Sequence, residues 1–256
     1  MPELSHLTEE DRILVRRLLD QGQKALSAQK PVYADFLDPR QRELVGRELA
    51  VLPGLRCLYY GGYRRAERQR LVLAADCLLM EAVDPGLAYV QISAPAANAL
   101  THQDYLGAIL SLGLKREKIG DLVVLESGCQ AVVAEEIAPL IQTSLRRVGR
   151  GEVSVAPIEP EQLQVPPERE KEIRTTVASP RLDAVASDGF GESRTRMARE
   201  IKAGRVRVNW QPVLKPDHLL QAGDVISIRG RGRVILAEVT GTTKKGRLGL
   251  VLKRMT

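Results

Sequence analysis

Few residues of this chain sit at spacings that could do covalent chemistry. Ser27 and Lys30 form a Ser-x-x-Lys pair, in which a lysine can activate a serine nucleophile, but two fixed positions in four arise easily by chance. His102 and Asp104 suggest acid–base work, yet residues two apart on a helix do not face each other. His6 and His218 have no Cys, His or acidic cluster at ligand spacing, so no metal is expected. Cys57, Cys77 and Cys129 are widely spaced and lie in apolar surroundings, which predicts buried, reduced thiols rather than disulfides or a zinc site. No Gly-x-Gly-x-x-Gly loop follows a strand and no Walker loop occurs, so no small-molecule cofactor is expected. The chemistry on offer points away from an enzyme.

Binding chemistry is better represented. The net charge is +6, and it is unevenly placed. Residues 181–256 hold 16 Lys and Arg against 7 Asp and Glu, while the rest of the chain holds 22 against 25. Such asymmetry is the electrostatic footprint of a polyanion-binding surface, although a basic face kept for solubility would look the same. Arg196, Arg199 and Lys202 recur at helical spacing, and Met197 and Ile201 recur on a different side. That pattern makes one apolar and one cationic helix face, with Ser193 as N-cap and Arg194 beside it. Arg205, Arg207 and Asn209 follow in a strand and turn. Arg231, Arg233, Lys244, Lys245 and Arg247 fall in glycine-containing segments read as loops. A second set lies upstream. Arg64, Arg65, Arg68 and Arg70 are flanked by Tyr59, Tyr60 and Tyr63, and aromatics beside arginines can stack on unpaired bases. Lys115, Arg116 and Lys118 make a cationic loop, and His102 either caps a helix or meets RNA. A core Tyr59 with merely solvated arginines is the plainer alternative.

These side chains need elements to hold them. Residues 1–53 read as a helical region, with Thr8 as N-cap, Ile13, Leu14, Leu18 and Leu19 on one face, and a second helix starting at Asp38-Pro39. Residues 54–158 read as an α+β domain. Strands are predicted at 55–60, 69–74, 87–93 and 153–157, a hairpin across Ser127-Gly128, and helices at 102–112 and 135–148. The proline-rich stretch 159–179 reads as a linker whose end, 173–178, forms a strand against the middle domain. Residues 180–256 read as a small domain of two helices and strands, with Gly189-Phe190-Gly191 as a break between the helices. No stretch approaches the ~18 apolar residues of a membrane span, and the first residues lack a signal pattern. A cytoplasmic monomer is the expectation.

Taken in order, Arg181-Leu182-Asp183, Ser193-Arg194, Ile201 to Val206, Val208-Asn209 and Gly223 to Ile226 resemble the RNA-binding domain named after small-subunit ribosomal protein S-four. The resemblance implies an αL fold that grips structured RNA, with Ser193, Arg194, Arg196, Arg199, Lys202, Gly204, Arg205 and Asn209 in the helix and following turn that such domains present to RNA. Thr101 to Gly107 and Leu112 to Asp121, with Gly230 to Arg233 and Thr242 to Arg247 behind them, resemble the YlmH-type family. Its cyanobacterial and plastid members are called photosystem II S-four domain proteins. That resemblance implies an RNA-recognition-like middle domain, and ribosomal or transfer RNA as partner, with the large ribosomal subunit as the particle. Gln103 stands where the family pattern has a basic residue. An RNA-modifying enzyme and a photosystem II assembly factor are the alternative functions.

Overall fold

A computed structural model describes residues 7–79, 82–94, 100–165, 170–228, 231–243 and 246–255. The chain forms two compact units, residues 1–166 and 167–256.

The first unit starts with helix α1 (Glu9–Ala28), capped by the Thr8 hydroxyl, which accepts from the Asp11 amide at 3.3 Å. Helix α2 (Pro39–Leu49) begins in a reciprocal Asp38–Gln41 capping box with proline at its first position. The buried face of α1 is Val15, Leu18, Leu19 and Ala25. Ile13 lies outside it, 59% exposed. Between and after the helices come β1 (Val32–Leu37), β2 (Leu55–Tyr60) and β3 (Gln69–Ala75), paired antiparallel in the order β1-β3-β2. The sequence reading is corrected here. The first domain is not only helical, and it extends past residue 53, because β2 and β3 pair with β1 and share a core with both helices.

The next elements are β4 (Leu87–Ser93), α3 (His102–Leu110), β5 (Ile119–Leu125), β6 (Gly128–Ala134), α4 (Ala138–Ser144), a two-residue hairpin β7 (Arg147–Val148) and β8 (Gly151–Glu152), and β9 (Ser154–Ile158). The sheet order β5-β6-β4-β9, with one helix in each crossover, is the split βαβ arrangement. This is the fold expected of an RNA-recognition-like domain. The helix read over 135–148 is shorter, since the backbone leaves it at Leu145 to form β7. All three thiols are free, and Cys77 is exposed rather than buried.

The second unit contains β10 (Glu170–Val177), α5 (Leu182–Phe190), α6 (Arg194–Lys202), β11 (Val206–Val208), β12 (Gln211–Pro212), β13 (Val225–Ile228), β14 (Gly232–Thr242) and β15 (Leu248–Met255). They form one six-stranded sheet in the order β10-β15-β14-β13-β11-β12, with α5 and α6 sharing its core. Three expectations change. The strand after the linker pairs with β15 of its own unit, residue by residue from Glu170–Met255 to Val177–Leu248, not with the middle domain. The segment read as glycine loops is the β14–β15 hairpin, whose inward Val234, Leu236, Leu250 and Leu252 are buried. Helix α5 runs through Gly189 and Phe190 and ends at Gly191, where φ is +69°. Gly189 is a contact rather than a break: a Cβ there would lie 2.6 Å from the Val234 side chain, so its absence lets the helix approach β14.

Candidate nucleic-acid interface

Helix α6 separates its two faces cleanly. Met197 and Ile201 are fully buried, whereas Arg194, Arg196, Arg199 and Lys202 are exposed. Ser193 caps the helix by accepting from the Arg196 amide at 3.3 Å, and Gly204 ends it at φ +71°. Among the described residues Arg199 and Lys202 have no ion-pair partner. The other cations of this region are oriented by carboxylates. Arg196 pairs with Glu192 at 3.1 Å, and Arg231 reaches the same carboxylate at 2.7 Å. Arg205 holds Glu200 through two hydrogen bonds of 2.6 and 3.0 Å. Pairs this exposed contribute little to stability; they set direction and leave further N–H donors toward solvent. Arg207 is exposed on β11 between buried Val206 and Val208.

Asp183 organises a second group, in which Arg181 is a residue that sequence reasoning left out of the RNA face. The Asp183 carboxylate is buried and accepts from Arg181 (3.1 and 3.3 Å) and from Arg194 (3.1 and 3.0 Å). Burial alone would raise its pKa, but these guanidiniums outweigh burial and hold it below the usual carboxylate value. Arg181, Arg194 and Arg247 line an open pocket of about 330 Å3 together with Thr176, Ser179 and Asp188. Arg247 is anchored there by donating to the Thr176 hydroxyl at 3.2 Å and to the Thr176 carbonyl. The signal available in the sequence was the Arg-x-Asp spacing at 181–183, which only the fold joins to residues 194 and 247.

Asn209 is a turn residue. It adopts φ +48°, donates to Asp224 at 2.8 Å and accepts from the Val225 amide at 2.9 Å. Arg233 is half-buried on β14. Lys244 and Lys245 lie outside the described residues.

In the first unit the structure divides the predicted cations. Arg70 is 3% exposed, donates to the carbonyls of Ala34 and Gly86, pairs with Glu136 at 2.9 Å and stacks over the Tyr33 ring at 5.3 Å. Lys118 bridges Asp35 and Glu136, each at 2.8 Å. Burial opposes its charge, but the two carboxylates prevail and raise its pKa. Both side chains therefore tie β1 and β3 to the second domain of this unit, the α+β domain that runs from β4 to β9. Arg68 is half-buried and donates to the Phe36 and Ile119 carbonyls at 2.9 and 3.0 Å. Arg64, Arg65, Lys115 and His102 are exposed, and Arg116 is half-buried. The two halves of the suggested acid–base pair do different work. Asp104 accepts from the Thr101 amide and hydroxyl, both at 2.7 Å, to cap α3, while His102 lies beside Arg116.

The sheet of the second domain offers little surface for stacking. Tyr89, Gln91, Gln130 and Val132 share one face, since Tyr89 pairs with Val132 and Gln91 with Gln130. The Gly61-Gly62 turn sits on that face so closely that a Cβ on Gly62 would lie 2.8 Å from Tyr89. Gln130 clamps the chain that follows β9, donating to the Gln162 carbonyl at 3.0 Å and accepting from the Gln164 amide at 2.6 Å. Tyr63 is likewise engaged, donating to Asp121 at 2.7 Å.

Comparisons with known proteins agree with this division. A family described as "YlmH, N-terminal" matches residues 10–78, one described as "Putative RNA-binding domain in YlmH" matches residues 82–162, and the S4 domain matches residues 180–226. The chain is 32% identical over 254 residues to a Bacillus subtilis protein named "Ribosome-associated protein quality control protein P2", covering 97% of each. A solved structure titled "Cell division protein ylmH from Streptococcus pneumoniae" shares the fold at TM-score 0.54 and 24% identity, covering 64% of this chain and 99% of that one. With three segments matched one after another along the chain, and a relative aligned almost end to end, this chain belongs to the YlmH family, whose S-four-like and middle domains are RNA-binding domains.

Proposed function

We propose that this protein binds structured ribosomal or transfer RNA on ribosomal particles, and that it acts by binding rather than by catalysis. The observation that carries the reading is the α6 face, where four cations project from a helix whose other side is fully buried. Buried Asp183 positions Arg181 and Arg194 next to it. Arg194, Arg196, Arg199, Lys202, Arg205 and Arg207 act as phosphate contacts, and the S-four-like domain supplies the main grip. Guanidiniums suit this task because their planar forks match phosphate oxygens. The bacterial relative named for ribosome association supports a ribosomal particle as the setting, and the large subunit is the particle proposed.

The described residues hold no helix long and apolar enough to cross a membrane, and no cluster of three His, Cys, Asp or Glu side chains suited to a metal. The Ser27 hydroxyl donates to the Lys24 carbonyl at 3.2 Å, one turn back along its own helix. Co-sedimentation with purified large ribosomal subunits at increasing salt tests the proposal. Binding is expected at low salt and should weaken steeply as salt rises, because phosphate contacts release counterions. Absence of association with subunits and with structured RNA at low salt would overturn it. A chemical change in RNA incubated with the pure protein would overturn the non-catalytic part alone.

A further inference from the structure

Two cationic loops, with Arg68 of one 51 residues before Ile119 at the end of the other, meet where the first domain packs on the second. The loop joining β2 to β3 carries Arg64 and Arg68, and the turn before β5 carries Lys115 and Arg116. Asp121 fastens them together. Its carboxylate accepts from the Tyr63 hydroxyl at 2.7 Å, the Glu67 amide at 2.7 Å and the Arg68 amide at 3.0 Å. Two guanidiniums then converge on one carbonyl: Arg68 donates to the Ile119 oxygen at 3.0 Å, and Arg116 donates to the same oxygen and to Gly120 at 3.3 Å. Among the described residues neither guanidinium has a carboxylate at ion-pair distance.

Like charges held this close, and partly buried, are an unfavourable arrangement that nearby Asp121 and Glu67 offset only in part and that a bound anion relieves further. Burial, followed by the neighbouring Arg68, brings the Arg116 guanidinium down to about 10. Burial and then Arg116 lower the His102 imidazole, while Asp121 and Glu67 are the acidic groups that face it. Arg64 and Lys115 stand exposed on the two loops, without an ion-pair partner among the described residues. The contrast with Arg70 and Lys118 is instructive. Those two cations of the same interface are each met by carboxylates.

We propose that this junction is a second phosphate-binding site, at which Arg64 from the first domain and Lys115 and Arg116 from the second hold the backbone of the bound RNA. Asp121 and Arg68 are positioning residues, since they hold the two loops together. The proposal rests on the RNA-binding reading above and adds to it a site that neither domain contains alone. It also explains how the first unit contributes to RNA binding when the face of its sheet is covered.

The test uses the full chain and purified large-subunit ribosomal RNA, with affinity measured between about 50 and 200 mM salt. Two lost phosphate contacts should lower the slope of log affinity against log salt by about 1.8, which corresponds to roughly 60-fold weaker binding near 0.1 M. That is the result expected for R64A/K115A, whose side chains are exposed and support no part of the fold. R64K/K115R keeps both charges and should bind as the unaltered protein does. If R64A/K115A leaves slope and affinity unchanged while R199A/K202A lowers both, the junction site is overturned and the main RNA reading stands. If the charge-preserving pair loses as much as the alanine pair, phosphate recognition at the junction is equally overturned. If the unaltered protein binds no RNA at low salt, both readings fall.

Discussion

Replacing Arg199 and Lys202 with alanine isolates the electrostatic contribution of the α6 face. Both side chains are exposed, they sit three residues apart on one side of the helix, and neither has an ion-pair partner among the described residues. Removing them therefore breaks no internal contact, and alanine is a good helix former, so stability should change by no more than about 0.5 kcal/mol. Each contact to a duplex phosphate contributes about 0.9 to the slope of log affinity against log salt. Two lost contacts reduce that slope by about 1.8, and near 0.1 M salt this amounts to roughly 60-fold weaker binding. Arg205 provides the internal comparison. Its guanidinium is held by Glu200 through two hydrogen bonds, so part of its charge is already neutralised and R205A should weaken binding less. Fluorescence anisotropy with labelled ribosomal RNA at several salt concentrations gives slope and affinity together. A slope within about 0.5 of the unaltered value for R199A/K202A would refute the assignment of this face.

Other consequences concern the supports of the two surfaces. D183N removes the charge that orients Arg181 and Arg194, and urea unfolding should report a loss of about 1–2 kcal/mol. Because the folded-state pKa of Asp183 lies below its unfolded value of about 3.9, its stabilisation is complete above that pH and disappears as pH falls through the lower folded value. An acid-unfolding curve identical in D183N and the unaltered protein would contradict this. R70M keeps the bulk but removes the donor to the Ala34 carbonyl and one of two partners each from the Gly86 carbonyl, which keeps the Glu135 amide, and from Glu136, which keeps Lys118, at a cost of about 2 kcal/mol. A cost under about 1 kcal/mol by chemical denaturation would show that the interdomain network is dispensable. G189A forces a methyl group against Val234 and should destabilise the C-terminal unit by about 1–3 kcal/mol, read from its melting temperature. A neutral result would mean that helix and sheet part easily there.

Local chemistry was enough to read much of this molecule from its sequence. The Thr8, Asp38 and Ser193 caps, the glycine stop at Gly204 and the buried pair Met197 and Ile201 depend on neighbours within one or two turns, and the structure reproduces them. Charge asymmetry and the spacing of Arg196, Arg199 and Lys202 are of the same kind. The structure alone decided everything that depends on pairing across long separations. Whether β2 and β3 belong to the first or the second domain turns on hydrogen bonds to β1, and no periodicity within residues 55–75 encodes that partner. The same holds for β10, whose alternation announces a strand but not that β15 completes it. Among the arginines, Arg64 and Arg70 are alike in composition and neighbourhood. One projects into solvent, while the other is enclosed by Glu136, Gly86 and Tyr33, because side chains on a strand meet whatever the opposing domain presents. The sequence by itself thus determined that the protein is cationic, where α1, α2 and α6 begin, and which helix carries the main charge. The tertiary structure decided which charges face outward, since that depends on carboxylates and carbonyls contributed by distant segments.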